Sequence, residues 1–180
     1  MLTSNNGWQQ AWNGQAAVDM DSHLIMGGHI SQATNDKQQL TPTLRQLQNL
    51  PEQLGTLTRI AADNGYYSED NISEATDRNI TPYLATGRQK HNQRWDERSA
   101  DPGPPPEEAT EAEQMKWRLN TPEGKAFYGR RKATVEPVFG IIKRAMGFRQ
   151  FMLRGLDKVA GEWDLVKCAY NLKRMHALAT

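Results

Sequence analysis

The sequence is poor in cysteine, in long apolar runs and in net charge. Its single cysteine, Cys168, excludes an intramolecular disulfide and any metal site built from several cysteines, and a reducing, cytoplasmic setting is expected. No run approaches the roughly 18 apolar residues that a membrane-spanning helix needs, so no membrane partner is expected. The formal net charge of +1 gives no overall attraction to nucleic acid. Any basic surface must therefore come from local clustering of charge.

The 180 residues suffice for one domain with a small insertion, and a mean hydropathy of -0.78 predicts a thin core. Short apolar runs alternate with stretches of helical spacing, which predicts an α/β fold. The predicted elements are a hairpin over 15–30, a helix over 36–50, a strand over 57–62, a helix over 68–78, a strand over 81–85, a helix over 107–119, a helix through 127–146 and a helix over 156–178.

The composition divides the chain into four predicted segments. The first is a polar lead-in over 1–13, which we expect to be a loop, and the second is a sheet portion over 14–86. The third is a polar and acidic insertion over 87–120, whose Asp-Pro-Gly-Pro-Pro-Pro run is incompatible with a helix or a central strand. The last, over 121–180, contains two helices that complete the core.

Charge is sorted along the second half of the chain. Seven acidic residues and one basic residue lie between Asp96 and Glu113, whereas nine basic and two acidic residues lie between Arg118 and Arg154. The near-neutral total therefore hides a basic stretch of the kind that contacts phosphates. The alternative is an ordinary solvated helix face.

Two acids are candidates for chemistry. Asp63 follows a predicted strand directly, which is where open α/β sheets place their ligands, although it could equally initiate a turn. Glu136 lies on a helix among basic and apolar neighbours, so its charge needs either a metal or a salt bridge from Arg131 or Lys132. A strand-end acid and a helix acid beside basic residues match the requirements of two-metal phosphoryl transfer.

Several segments, in the correct order and from about Asn13 to Leu178, resemble the DDE transposases of bacterial insertion sequences. They are NGQAAVD at 13–19, NDKQQL at 35–40, ADNGYYS at 62–68, YGRRKATVEPVFGIIK at 128–143, FRQFMLRGL at 148–156, and the residues 163–174. The resemblance covers nearly the whole chain and rests on several motifs. It implies a ribonuclease-H-like mixed sheet flanked by helices, with the polar insertion before the glutamate helix.

The resemblance also implies chemistry, cofactors and partners. Three acids would bind two Mg²⁺ ions, with Mn²⁺ as an alternative, to cleave DNA at the element ends and join the freed 3′-hydroxyl to target DNA. Asp63 corresponds to the second acid and Glu136 to the third. The implied partners are DNA, as terminal inverted repeats and as target, and further copies of the chain on paired ends in the nucleoid. The residues expected to contact DNA phosphates are Tyr128, Arg131, Lys132, Lys143 and Arg144.

The first acid of the family is the main departure from this pattern. It belongs to a first strand upstream of the segment that matches Gly14 to Asp19, and no such strand is predicted here. A turn role is favoured for Asp19 and Asp21. We therefore expect an N-terminally truncated chain, and three hypotheses follow: a transposase with its first acid present or supplied in trans, a non-catalytic remnant that at most binds DNA, and a simple ribonuclease-H-like nuclease.

Other polar or unusual residues have structural interpretations. Asp36 is expected to cap a helix, and the four histidines show no ligand spacing. Trp117 and Trp163 are expected to pack in the core or in an interface. Cys168 is expected to be a buried small hydrophobic residue.

Overall fold

A computed structural model describes residues 11–87, 102–104 and 108–180, with the backbone of Leu2–Thr3 and Gly7–Trp8. The chain forms two compact units, one made of Met1–Asn49 and Lys132–Thr180 and the other of Leu50–Arg131. Within the predicted insertion over 87–120, residues 88–101 and 105–107 lie outside the described residues. In the described part, no helix is both long and apolar enough to cross a membrane.

The described elements are short strands and longer helices. The strands are β1 (Leu2–Thr3), β2 (Gly7–Trp8), β3 (Asn13–Gly14), β4 (Ala17–Val18), β5 (Ile25–Gly27), β6 (Ile30–Ser31), β7 (Arg59–Ala62) and β8 (Thr81–Leu84). The helices are α1 (Leu40–Gln48), α2 (Glu69–Asp77), α3 (Glu111–Asn120), α4 (Pro122–Gly140) and α5 (Leu156–Ala179). The α/β character predicted from the sequence is therefore confirmed.

Within each unit the described strands pair in twos, and the single mixed sheet stays a prediction. β1–β2, β3–β6 and β4–β5 are antiparallel pairs, and β7–β8 is a parallel pair. The β1–β2 pair corrects the expectation of a loop throughout 1–13. Pairing of two residues rests on backbone hydrogen bonds and does not need a buried apolar face.

The predicted hairpin is confirmed in the first unit. β3–β6 and β4–β5 are consecutive parts of it, and the Gln15 N–H donates to the His29 carbonyl between them at 2.8 Å. At the turn, the Asp19 carboxylate accepts from the backbone N–H and the hydroxyl of Ser22, both at 2.7 Å. Asp19 therefore has the turn role that the sequence favours.

Asp36 does not cap α1, so that prediction is wrong. The helix begins at Leu40 and has no side-chain cap. The Asp36 carboxylate instead accepts from Asn13 Nδ2 at 2.6 Å and from Gln15 Nε2 at 2.8 Å. Two amide donors from a neighbouring part of the fold thus occupy the oxygen that a cap would have used.

The long helix α5 anchors the hairpin in the first unit. Its buried Val159, Trp163 and Tyr170 form a core cluster with four residues of the hairpin and of α4 with its C-terminal extension, namely Ile25, Ile30, Val138 and Ile142. Trp163 Nε1 donates to the Gln15 carbonyl at 3.0 Å, and the Tyr170 hydroxyl donates to the His23 carbonyl at 3.0 Å. Asn171 behaves as a strand neighbour, because its amide accepts from the Ile25 N–H and donates to the Ile25 carbonyl. The predicted packing role of Trp163 is confirmed.

The outer face of α5 differs from the sequence expectation. Cys168 is exposed, so its prediction as a buried residue is wrong. Leu172 and Met175 of the same helix are also exposed. The helix has apolar residues on two sides, and only one side packs against the hairpin.

The second unit is built on a β7–α2–β8 crossover. β7 and β8 pair in register from Arg59 opposite Thr81 to Ala62 opposite Leu84. Ser68 caps α2 by accepting from the Asn71 N–H at 3.2 Å. Helix α3 begins at Glu111, later than predicted, because Thr110 and Glu113 form a reciprocal capping box there. The predicted start at Glu107 lies outside the described residues.

Candidate active site and nucleic-acid interface

Asp63 lies at the carboxyl end of β7, as the sequence predicts. It precedes a 3₁₀ turn over Asn64–Tyr66, and its Oδ1 accepts from the Gly65 N–H at 2.9 Å. The side chain is 50% exposed. One oxygen therefore fixes the turn, which was the structural alternative, while the other faces the neighbouring helix α4.

Arg131 of α4 is the cation beside Asp63. Its Nη1 lies 3.7 Å from Asp63 Oδ2, which is longer than a hydrogen bond, and its side chain is only 19% exposed. The guanidinium lies 5.8 Å from the centre of the Tyr128 ring. Among the described residues, buried Arg131 Nε has no hydrogen-bond partner. Because a buried unpaired donor is costly, this arginine has capacity for a further anionic acceptor.

Glu136 follows Arg131 by five residues on the same helix, about 7.5 Å further along the axis. Its side chain is exposed, and Val138 beyond it is fully buried. Within the part of the chain that the structure describes, the Glu136 carboxylate has no ion pair or hydrogen bond. The salt bridge from Arg131 or Lys132, which was the alternative to a metal, is therefore not formed in that part.

The remaining basic residues extend along the end of α4. Lys132 is exposed, and Lys143 and Arg144 are exposed on a π-helical extension over Ile141–Ala145. Lys143 Nζ lies 5.8 Å from the centre of the Phe139 ring. No acidic residue occurs between Glu136 and Asp157. This stretch therefore presents cations without nearby acids of its own segment, as a phosphate-binding surface requires.

Metal binding can be judged from the donors alone. Carboxylate oxygens are the ligands that Mg²⁺ prefers, so Asp63 and Glu136 fit the ion in kind. Asp63 belongs to one compact unit and Glu136 to the other. No group of three or more histidine, cysteine, aspartate or glutamate side chains suited to a metal is found among the described residues.

The second unit also contains a cleft that was not predicted from the sequence. It has a volume of about 550 Å³, and Tyr83, Trp117 and Arg118 contribute to its lining. The Arg118 guanidinium lies 5.8 Å from the centre of the Tyr83 ring, and Trp117 Nε1 donates to the Gly103 carbonyl. Trp117 is therefore held by packing and by a backbone acceptor, as a structural role predicts. The packing of α3 against β8 brings these residues together.

The model of a protein family described as the transposase DDE domain matches residues 3–172. This chain belongs to the transposase DDE domain family. Neither the comparison with curated proteins nor the comparison with solved structures found a match. The resemblance seen in the sequence is thus confirmed for nearly the whole chain.

Membership of the transposase DDE domain family places the chain in a transposition-related role, with DNA as the general partner. The family suggests polynucleotidyl transferase or endonuclease chemistry, generally with divalent metals.

Proposed function

We propose that this chain carries the second and third acids of a DNA strand-cleavage and strand-transfer reaction at insertion-sequence ends. The observation that supports this most is the pair formed by Asp63 and Arg131. A half-exposed strand-end carboxylate lies beside an arginine whose Nε has no described partner. A DNA phosphate needs a cation of this kind, and a metal needs a carboxylate of this kind.

In this proposal Asp63 and Glu136 hold Mg²⁺, or Mn²⁺ in its place. Divalent ions supply charge stabilisation for the attacking and leaving oxygens of a phosphoryl transfer. The part of Asp63 is to offer Oδ2, while the Gly65 N–H fixes its Oδ1. Glu136 offers an exposed carboxylate that has no ion pair or hydrogen bond among the described residues.

The basic residues position the DNA. Arg131 donates to a phosphate near the cut, and Tyr128 supports the guanidinium from one turn earlier on α4. Lys132, Lys143 and Arg144 contact phosphates further along the backbone, where their exposure leaves them accessible. Contacts to phosphates set the register of the DNA without reading its sequence.

Two carboxylates are too few to hold two ions in the required geometry, so the reaction needs a third acid. We propose that it comes from an additional strand of a ribonuclease-H-like arrangement or from another chain in trans. The order of hairpin, helix, strand, helix and strand in the described part agrees with that arrangement. Pairing of the two element ends would bring further copies together on DNA in the nucleoid.

A second candidate function is a transposase remnant that binds DNA without cleaving it. The observation that favours it is that no cluster of three metal-binding side chains occurs among the described residues. In that case the basic stretch from Arg118 to Arg154 would still bind DNA, whereas Asp63 and Glu136 would have no catalytic role.

Nicking of supercoiled plasmid in Mg²⁺ or Mn²⁺ tests the catalytic proposal. When the third acid is supplied, we expect nicking with the wild-type chain and its loss with both Asp63→Asn and Glu136→Gln. A matched control is Glu123→Gln, because Glu123 is an exposed acid in the first turn of the same helix and pairs only with Arg59 in the described part. Retained nicking by either acid variant would remove that residue from the site. DNA binding without nicking by the wild type would favour the remnant.

A further inference from the structure

Asn71 is a buried polar residue in the first turn of α2 that the proposed reaction does not use. It is only 4% exposed. Asparagine is a poor helix former, and a buried amide costs stability unless its hydrogen bonds are made. The helix itself therefore gives no reason for asparagine at this position, and the reason must lie in what the amide binds.

The Asn71 amide binds the carbonyl of Tyr66, outside the helix. Asn71 Nδ2 donates to the Tyr66 oxygen at 2.6 Å. Asn71 is the third residue after the cap Ser68, and helical side chains lean toward the N-terminus of their helix. The amide can therefore reach back past the cap. This hydrogen bond joins the first turn of α2 to the end of the 3₁₀ turn that follows β7.

The same 3₁₀ turn holds Asp63. The Tyr66 N–H donates to the Asp63 carbonyl at 3.2 Å, and the Gly65 N–H donates to Asp63 Oδ1 at 2.9 Å. Asp63 is thus bonded through its main chain and through one carboxylate oxygen to the turn whose last carbonyl binds Asn71. As long as the turn keeps its shape, the Gly65 N–H stays on Oδ1, and Oδ2 stays available.

We propose that Asn71 is a positioning residue for Asp63. By binding the Tyr66 carbonyl, it fixes the turn that orients the Asp63 carboxylate, and it contacts neither metal nor DNA itself. Outer partners that orient a metal ligand typically contribute about 10- to 100-fold to metal affinity. The effect on metal affinity rests on the proposed function of Asp63, whereas the effect on the turn does not.

Hydrogen exchange of the Gly65 amide, followed by NMR in the whole chain without metal, tests the effect on the turn. We expect exchange to be several-fold faster in Asn71→Ala than in the wild type, because the turn opens more often without its outer hydrogen bond. Ile72→Val is the matched control, since it removes one methyl group from a buried residue of the same helix and no hydrogen-bond donor. Unchanged exchange in Asn71→Ala, or an equal increase in Ile72→Val, would overturn the proposal.

Mn²⁺ binding by the same variants tests the consequence for the metal. We expect Asn71→Ala to weaken Mn²⁺ binding about tenfold and Ile72→Val to leave it unchanged. In the Asp63→Asn background, Asn71→Ala should cause no further loss, because Asn71 acts only through Asp63. A further loss of the same size in that background would overturn the proposal, as would full Mn²⁺ binding by Asn71→Ala when Asp63→Asn binds less.

The two measurements also separate this proposal from the proposed function. Mn²⁺ binding that Asp63→Asn leaves unaltered would refute the role of Asp63 as a metal ligand. Faster exchange of Gly65 in Asn71→Ala alone would, in that case, still support the role of Asn71 in orienting the Asp63 carboxylate.

Discussion

Arg131 has two features that rarely occur together in a structural salt bridge. Its contact with Asp63 is loose, at 3.7 Å, and its buried Nε has no hydrogen-bond partner among the described residues. A structural arginine would normally have its donors satisfied. We assign the spare donor to a DNA phosphate, and DNA binding tests this assignment without any cleavage.

Replacement of Arg131 by alanine should weaken DNA binding about tenfold, because a hydrogen bond between charged groups contributes about 1.5 kcal/mol. The slope of the logarithm of affinity against the logarithm of salt concentration should fall by about 1. Fluorescence anisotropy with a DNA duplex at several salt concentrations provides both values. Arg45→Ala is the control, since Arg45 is exposed on α1 outside the basic stretch. An unchanged slope for Arg131→Ala would show that Arg131 makes no phosphate contact.

For single residues, the sequence predicted the place of a side chain along its element better than the residues that it contacts. The place of Asp63 at a strand end was predictable, because the apolar run that forms the strand directly precedes it in the sequence. The hydrogen bonds of the Asp36 carboxylate could not be predicted, because their donors, Asn13 and Gln15, are more than 20 residues away in the chain. The exposure of Cys168 depends on which side of α5 meets the hairpin, and residue type does not determine that.

At the scale of elements, the N-terminus of α3 is fixed by its own side chains. The Thr110 hydroxyl accepts from the Glu113 N–H, and the Glu113 carboxylate accepts from the Thr110 N–H at 2.9 Å. That backbone hydrogen bond from Thr110, followed by the one from its hydroxyl, lowers the pKa of Glu113 below its usual value. A pKa that is lower in the folded chain stabilises the fold above the usual glutamate value, and the stabilisation is lost as pH falls through the folded value.

Glu113→Gln should therefore reduce the acid sensitivity of the protein. Glutamine can still accept the Thr110 N–H, but it does not titrate. The melting temperature of the wild type should fall more steeply below about pH 4.3 than that of Glu113→Gln. Glu111→Gln serves as the control, because Glu111 is in the same first turn and outside the capping box. Equal acid sensitivity of wild type and Glu113→Gln would contradict this role.

The helices were predictable as elements, but their ends and faces were not. The apolar spacing of α5 gives its length to within a residue at the C-terminus, yet Leu172 and Met175 are exposed. A helix with two apolar faces gives the same spacing whether one face or both are buried. The capping box of Thr110 and Glu113 sets the start of α3 at Glu111, later than the predicted start at Glu107.

At the scale of the whole molecule, the family was predictable because its motifs are spread over nearly the whole chain, and the family model matches the same extent. The pairing of strands was harder to predict. The parallel β7–β8 pair follows from the crossover through α2, whereas the division of the hairpin into the separate pairs β3–β6 and β4–β5 was not predicted. Strands of two to four residues carry too little pattern to specify neighbours beyond the nearest one.

We propose that Asp63 and Glu136 are ligands of the same metal centre, and Mn²⁺ binding measured by electron paramagnetic resonance tests this proposal. This measurement does not depend on cleavage, so it is informative whether or not a third acid is present. We expect Asp63→Asn and Glu136→Gln each to reduce the bound Mn²⁺ by a similar factor, and Glu123→Gln to leave it unchanged. Unaltered Mn²⁺ binding by either acid variant would contradict the claim.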